Sequence, residues 1–456
     1  MKIHFIAIGG SAMHNLAIAL KIKGYEITGS DDEIFEPSLS RLKNHGLLPA
    51  YTGWNPDAIT TELDAIVLGM HARSDNPELI KAKDLGIKIY SYPEYLYEQT
   101  KNKTRIVVGG SHGKTTITSM IMHVLKQTGI DFDYMVGAQL DGFDNMVGFS
   151  DSTQYAVFEG DEYLTSPIDP RPKFHVYKPN IAIISGIAWD HINVFPTFEN
   201  YKQQFSIFID CIEPNGTLIY CNDDKEVVSV VKSSNRTDIN FIPYSTPEYN
   251  LNNYGNYTLI LNGENHPIKV FGKHNMQNIS ATKATCLQLG IDDNSFYSAI
   301  ENFKGAAKRL QCLAENKTTK VFLDFAHSPS KVSATIKAVR EAFPNRKLVA
   351  CFELHTFSSL NKEFLSQYKN TLLDADIPIV YFNPHTIEHK RLPAISIEEV
   401  RNGFGQQNLD VKTDSATLIT QLHEMNWENK NLLIMTSGNF SGVNLQELSD
   451  KIVNKS

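Results

Sequence analysis

The chain has 456 residues, 42% hydrophobic and 21% charged, with 43 Lys and Arg against 51 Asp and Glu for a formal charge of −8. At roughly 150 residues per domain this length predicts about three domains, each able to bury a core without metals or disulfides. The acidic balance excludes a general nucleic-acid or anionic-membrane footprint, five scattered cysteines without a C-x-x-C pair exclude a disulfide framework or structural zinc site, and no apolar run is long enough to span a bilayer.

The first block opens with strand Ile3–Ile8, a glycine turn and helix Ser11–Lys23. This start reads as a strand entering a turn rather than as a signal peptide, so a cytoplasmic location is expected. Strands Tyr25–Gly29, Ala65–Leu68 and Ile87–Tyr90 follow, with a segment opened by Pro77, and the polar run Gln99–Lys103 reads as a linker. A second block restarts at strand Arg105–Val108 and continues through a phosphate-loop-like turn into helix Thr115–Gln127. Its later strands, Tyr155–Phe158 and Asn180–Ser185, both end in polar residues. Within Tyr257–Phe271, Asn262-Gly263 marks a hairpin, and helix His274–Leu289 comes next. Segment Gly305–Glu315 reads as a connector. The third block has strand Lys320–Phe325, helix Pro329–Ala342 and strands Lys347–Phe352, Ile379–Phe382 and Leu432–Met435. This alternation predicts an α/β chain with mostly parallel sheets, in three blocks spanning 1–103, 104–308 and 309–456.

The sharpest chemical signal is Gly110-Ser111-His112-Gly113-Lys114-Thr115-Thr116, placed between a strand and a helix. Glycines let backbone N–H groups approach phosphate oxygens, and the helix N-terminus adds a favourable dipole. Lys114 suits β/γ-phosphates and the Thr115 hydroxyl suits Mg²⁺. The first glycine of the general phosphate-loop pattern is replaced by Val108. Glu159, in Phe158-Glu159-Gly160-Asp161-Glu162-Tyr163, closes a strand and supplies a hard oxygen ligand for Mg²⁺, or else begins a solvated acidic loop. In Trp189-Asp190-His191, His191 offers a metal-ligating nitrogen that Asp190 can orient.

Other groups carry less by themselves. Lys273-His274-Asn275-Met276-Gln277-Asn278 opens a helix, and its amides can read an adenine edge or merely cap the helix. Arg309 can clamp a γ-phosphate, or sit on a solvated basic turn. In Asp324-Phe325-Ala326-His327-Ser328-Pro329, Asp324 can bind ribose hydroxyls, while Ser328 can simply cap the next helix. The first block's Gly9-Gly10-Ser11 turn lacks two glycines of the dinucleotide fingerprint, since Ala7 and Ala12 stand in their places. It can still seat a diphosphate at a helix N-terminus.

Taken together, GGSAM, TGSDD, GSHGKTT, FEGDEY, AWDH, GKHNMQN, AAKRLQ, DFAHSP and MTSGNFSG, in that order over nearly the whole chain, resemble the Mur ligase family. The resemblance implies a Rossmann-like N-terminal domain for the UDP-sugar, a central P-loop ATPase domain and a Rossmann-like C-terminal domain for the incoming amine. It implies a ligase that uses ATP and Mg²⁺ to join UDP-N-acetylmuramate to a peptide or amino acid through an acyl phosphate. Gly9, Gly10, Ser11, Ser30 and Asp31 would bind the UDP-sugar, and Gly110 to Thr116 the ATP phosphates. Thr115, Glu159 and His191 would hold metal, Arg309 the γ-phosphate, and His274, Asn278, Asp324 and His327 adenosine; Lys114, Glu159, His191 and Arg309 would be catalytic. Two stretches, EGDEYLTSPIDPRPKFHVY and MTSGNFSGVNLQEL, resemble the branch that attaches L-alanyl-γ-D-glutamyl-meso-diaminopimelate in recycling. Residues Phe352 to Ser358 resemble the branch that attaches L-alanine. The reading leans to the tripeptide.

No carbamylated lysine is expected, because the matching region holds Phe205 and Ser206 and Lys202 lies one helical turn too early. Two other classes compete: a nonenzymatic nucleotide or UDP-sugar sensor, and a nicotinamide oxidoreductase built on the first block. No nucleic-acid partner and no membrane insertion are expected.

Overall fold

A computed structural model describes every residue except 151, 253–254, 262–263, 408 and 456. The chain folds into two compact units, one of Met1–Ile187, Glu199–Ser245 and Ala281–Ala299, the other of Ala188–Phe198, Thr246–Ser280 and Ile300–Ser456.

Among the described residues the first unit holds three sheets, the smallest an antiparallel pair of Leu164–Ser166 and Asp169–Pro172. Strands Glu26–Ser30, Lys2–Ile6, Ala65–Leu68 and Ile89–Ser91 form a parallel sheet in that spatial order. The first strand stops two residues short of expectation because Ala7 turns left-handed (φ 67°). Ala7 and Ile8 are apolar because they are fully buried, not because they are extended. Their N–H groups bond to the Ser30 carbonyl at 2.9 and 3.0 Å. Of the expected linker Gln99–Lys103, Gln99 and Thr100 instead end helix Tyr92–Thr100, started by a Ser91–Glu94 capping box, and only 101–103 form the turn that follows.

The second sheet has seven strands in the order Asn240–Tyr244, Thr217–Cys221, Ile181–Ile184, Thr104–Gly109, Tyr155–Glu159, Phe132–Met135 and Val147–Gly148. All neighbours are parallel except the last pair. Its central strands are continuous apolar runs because both faces are covered. Within this unit, Asn145 Nδ2 donates to the Asn15 carbonyl at 2.7 Å, and Arg41 donates to Asn145 Oδ1 at 2.7 Å. The Met146 N–H closes the clasp on Asn15 Oδ1 at 3.1 Å.

In the second unit, strands Tyr257–Leu261 and Glu264–Ile268 pair antiparallel, joined by Tyr249–Leu251 as a third strand. The Asn262-Gly263 turn expected there lies outside the described residues. A six-stranded sheet runs Gln311–Glu315, Lys320–Asp324, Lys430–Met435, Lys347–Leu354, Ile377–Phe382, Asp410–Lys412. The expected connector Gly305–Glu315 therefore contains a strand, antiparallel to its neighbour and bulged between Cys312 and Ala314. Helix Pro329–Ala342 covers one face through Val332, Ile336 and Val339. Helices Ser415–Glu424 and Leu445–Asn454 cover the other through Leu418, Leu422, Leu448 and Ile452. Among the described residues no helix is long and apolar enough to cross a membrane.

Candidate active site

In the first unit, strand Thr104–Gly109 delivers the chain into Gly110, whose φ of 132° favours glycine. A Cβ there would also collide with Ser185, 2.9 Å from its backbone nitrogen. Gly113, left-handed at φ 79°, is the N-cap of helix Lys114–Gln127. The Ser111 N–H bonds to the Gly186 carbonyl at 2.9 Å, and the Ser185 hydroxyl donates to the His112 carbonyl, so the next strand end braces the loop. Lys114 Nζ donates to the Gly110 carbonyl at 2.7 Å and to Glu162 Oε2 at 2.6 Å. Burial works against its charge, but Glu162, Asp161 and Glu159 outweigh burial and raise its pKa.

The Thr115 hydroxyl donates to Glu159 Oε1 at 2.8 Å, and Glu159 Oε2 accepts the Gly137 N–H at 2.7 Å. Two hard oxygen donors thus stand together beside the loop, a set that fits Mg²⁺ when phosphate and water complete the shell. Thr116 is buried in the first helical turn.

The first glycine turn is arranged differently. Asp31 Oδ2 accepts the Gly9 N–H at 2.6 Å. Burial raises the Asp31 pKa, opposed by that hydrogen bond. Ser30 is fully buried and donates to Glu78, which also accepts the Asn55 N–H at 2.6 Å. Ser30 and Asp31 therefore brace the turn from inside, while Ser11 is exposed at the start of the helix.

The second unit gathers other candidates. Asp190 is buried, accepts the His191 N–H at 2.8 Å, and lies 3.4 Å from Lys331 Nζ and 3.6 Å from His327 Nε2. Burial opposes its ionisation, but Lys331 and then His327 and His191 prevail, holding the carboxyl well below the usual range. His191 itself is left-handed at φ 54°. His327 Nδ1 donates to the Phe325 carbonyl at 2.8 Å, and burial, reinforced by Lys331, lowers its pKa.

Asp324 accepts the Leu310 N–H at 2.6 Å and the Ala326 N–H at 2.7 Å, fastening the chain on both sides of its strand. The Arg309 guanidinium stacks 4.7 Å over the Phe325 ring. Asn278 is buried and donates to Asn275 Oδ1 at 3.2 Å. Burial lowers the His274 pKa.

The first unit thus brings together the loop, Lys114, Thr115 and Glu159, and the second brings together Asp190, His191, His327 and Lys331. Sequence reasoning missed Glu162, Lys331, Glu78 and Tyr201. Glu162 stands within FEGDEY; Tyr201 gave no signal, being one aromatic on an apolar helix face. Phe205, in the region where a carbamylated lysine would stand, is fully buried against Phe174 and Tyr201, while Lys202 pairs with Glu226 at 2.7 Å.

Three family models match in series: "Mur ligase family, catalytic domain" over 2–104, "Mur ligase middle domain" over 108–286 and "Mur ligase, glutamate ligase domain" over 308–439. The UDP-N-acetylmuramate–L-alanine ligase of Carboxydothermus hydrogenoformans is 30% identical over 88% of this chain and 85% of its own. That of a Sulfurihydrogenibium species is 34% identical over 83% and 82%. Among solved structures, a murein peptide ligase from Psychrobacter arcticus aligns with TM-score 0.68 at 22% identity, over 100% of this chain and 99% of that one. The UDP-N-acetylmuramate–alanine ligase of Thermotoga maritima aligns with TM-score 0.73 at 21% identity, over 100% and 98%. The chain belongs to the Mur ligase family, with the family's three α/β domains. It is an ATP-dependent ligase that forms amide bonds in peptidoglycan synthesis.

Proposed function

We propose that the chain joins an amine to the carboxylate of UDP-N-acetylmuramate, with L-alanine as the amine its relatives favour. The observation that carries the reading is the Lys114–Thr115–Glu159 arrangement at the carboxyl edge of a parallel sheet, where α/β folds seat ligands. The relatives named for L-alanine move the amine away from the tripeptide expected from sequence. The tripeptide stays as the second reading, favoured by EGDEYLTSPIDPRPKFHVY and MTSGNFSGVNLQEL.

In this reading a carboxylate oxygen of the muramoyl group attacks the γ-phosphorus and ADP leaves; the free amine then attacks the acyl carbon, and phosphate and a proton leave. Two anions must meet in the first step, so positioning and charge neutralisation dominate. Lys114 holds the β/γ-phosphates and Arg309 the γ-phosphate. Thr115 and Glu159 would hold Mg²⁺, a role the family resemblance extends to His191, and the ion would supply charge neutralisation. His274, Asn278, Asp324 and His327 take adenosine, and Gly9, Gly10 and Ser11 seat the UDP diphosphate on a turn braced by Ser30 and Asp31. The division at 1–103, 104–308 and 309–456, and the cytoplasmic location, belong to the same proposal.

The test is ADP release with UDP-N-acetylmuramate, ATP and Mg²⁺, offering L-alanine and L-alanyl-γ-D-glutamyl-meso-diaminopimelate separately and recording product masses. Turnover with L-alanine is expected. Turnover with the tripeptide alone would install the second reading, and nucleotide binding without turnover on either amine would leave a sensor.

A further inference from the structure

Helix Phe198–Asp210 buries Tyr201, Phe205, Phe208 and Ile209, the face of an ordinary amphipathic helix. Phenylalanine would satisfy that face. Tyr201 is fully buried, and a hydroxyl taken out of water needs partners. It meets Ser111 Oγ of the phosphate loop at 2.8 Å and Glu162 Oε1 at 3.0 Å. Glu162, also fully buried, presents its other oxygen to Lys114 Nζ at 2.6 Å. A polar path therefore runs from the loop hydroxyl through Tyr201 and Glu162 to the ammonium, inside one unit.

An ammonium has three N–H donors on a flexible stem, and an unrestrained one points nowhere in particular. Here the Gly110 carbonyl and Glu162 occupy two donors; among the described residues the third has no partner. Two fixed acceptors define the direction of the third donor. Glu162 can fix it only while its own carboxylate plane is fixed, and Tyr201 meets it on the opposite oxygen. We propose that Tyr201, acting through Glu162, is a positioning residue that aims the Lys114 ammonium at the nucleotide phosphates. The proposal rests on the reading that this loop binds ATP.

The test is equilibrium calorimetry of the full chain with Mg²⁺ and either a non-hydrolysable ATP analogue or AMP. Tyr201→Phe keeps the ring, including its edge contact with Phe205 at 5.3 Å, and removes only the hydroxyl. Its expected effect is about a tenfold loss of affinity for the ATP analogue with AMP affinity unchanged, since AMP lacks the phosphates that Lys114 reaches. Loss of a purely structural contact would weaken both ligands alike. Should Tyr201→Phe fail to fold, Ser111→Ala reads the other end of the same hydroxyl and should shift the same ratio in the same direction. In the Tyr201→Phe background, Ser111→Ala should add almost nothing. Wild-type binding with both variants matching it on both ligands would overturn the relay alone; a wild-type chain that binds neither nucleotide would overturn the ATP reading and the relay with it.

Discussion

Two corners of the first unit share one backbone design and differ in charge. Each is a strand, a glycine turn and a helix N-terminus. At Gly9–Gly10 the anion comes from within: the Asp31 carboxylate already holds the Gly9 N–H, and the first helical turn carries no Lys or Arg. At Gly110–Gly113 the helix opens on Lys114, a cation whose internal partner is Glu162. A phosphate arriving at the first corner meets the backbone amides that remain; at the second it meets an ammonium. Glycines and a helix dipole mark an anion site. The side chains that charge the corner decide whether it merely seats a diphosphate or neutralises a phosphoryl group in transfer.

Lys114→Ala should break this comparison most visibly. ADP formation should fall by at least about a thousandfold, and the melting temperature should drop as well because the buried Glu162 carboxylate loses its cation; near-normal turnover would erase the distinction between the corners. Asp31→Asn comes next. Weakening the grip on the Gly9 N–H should raise KM for the UDP-sugar roughly tenfold and leave KM for ATP in place. An equal rise in both would mean that the corners are not independent.

The smallest effect is in pH. Burial raises the Asp31 pKa, so the folded chain takes up this proton at a higher pH than the unfolded chain. The destabilisation from burying the charge is present above that raised value and fades as pH falls through it. Between pH 7 and about 4, the melting temperature of wild type should gain on that of Asp31→Asn by about 1–2 °C. A gap independent of pH would show that Asp31 does not titrate in that window.

The Gly110–Gly113 turn was legible in the sequence because the phosphate-binding chemistry proposed for it demands particular residue types at adjacent positions. Strand centres were legible for a similar reason, since a strand covered on both faces must be apolar. Strand ends were less so: Ala7 and Ile8 are buried beyond the strand, and Leu354 continues the strand past the expected Phe352. Gln99 looked like a linker because it lies on the half-exposed side of a helix, and Gln311–Glu315 looked like a connector because an edge strand need not be apolar. Asp190 was expected to orient His191; the structure shows the carboxylate on the His191 backbone N–H and adds Lys331, 141 residues away. Tyr201 and Ser111 are 90 residues apart, and no local pattern announces that their hydroxyls meet.

The Asn15–Asn145–Arg41 clasp bears on how this protein can be dissected. The polar stretch near residue 103 marks a seam in the topology, and an experimenter would be tempted to cut there. Asn15 is only 1% exposed in the intact chain. A fragment ending at that seam would present its amide and the Arg41 guanidinium to water without the loop that receives them. The seam separates two sheets in the order of the chain; as a cloning boundary it would split a single folded piece.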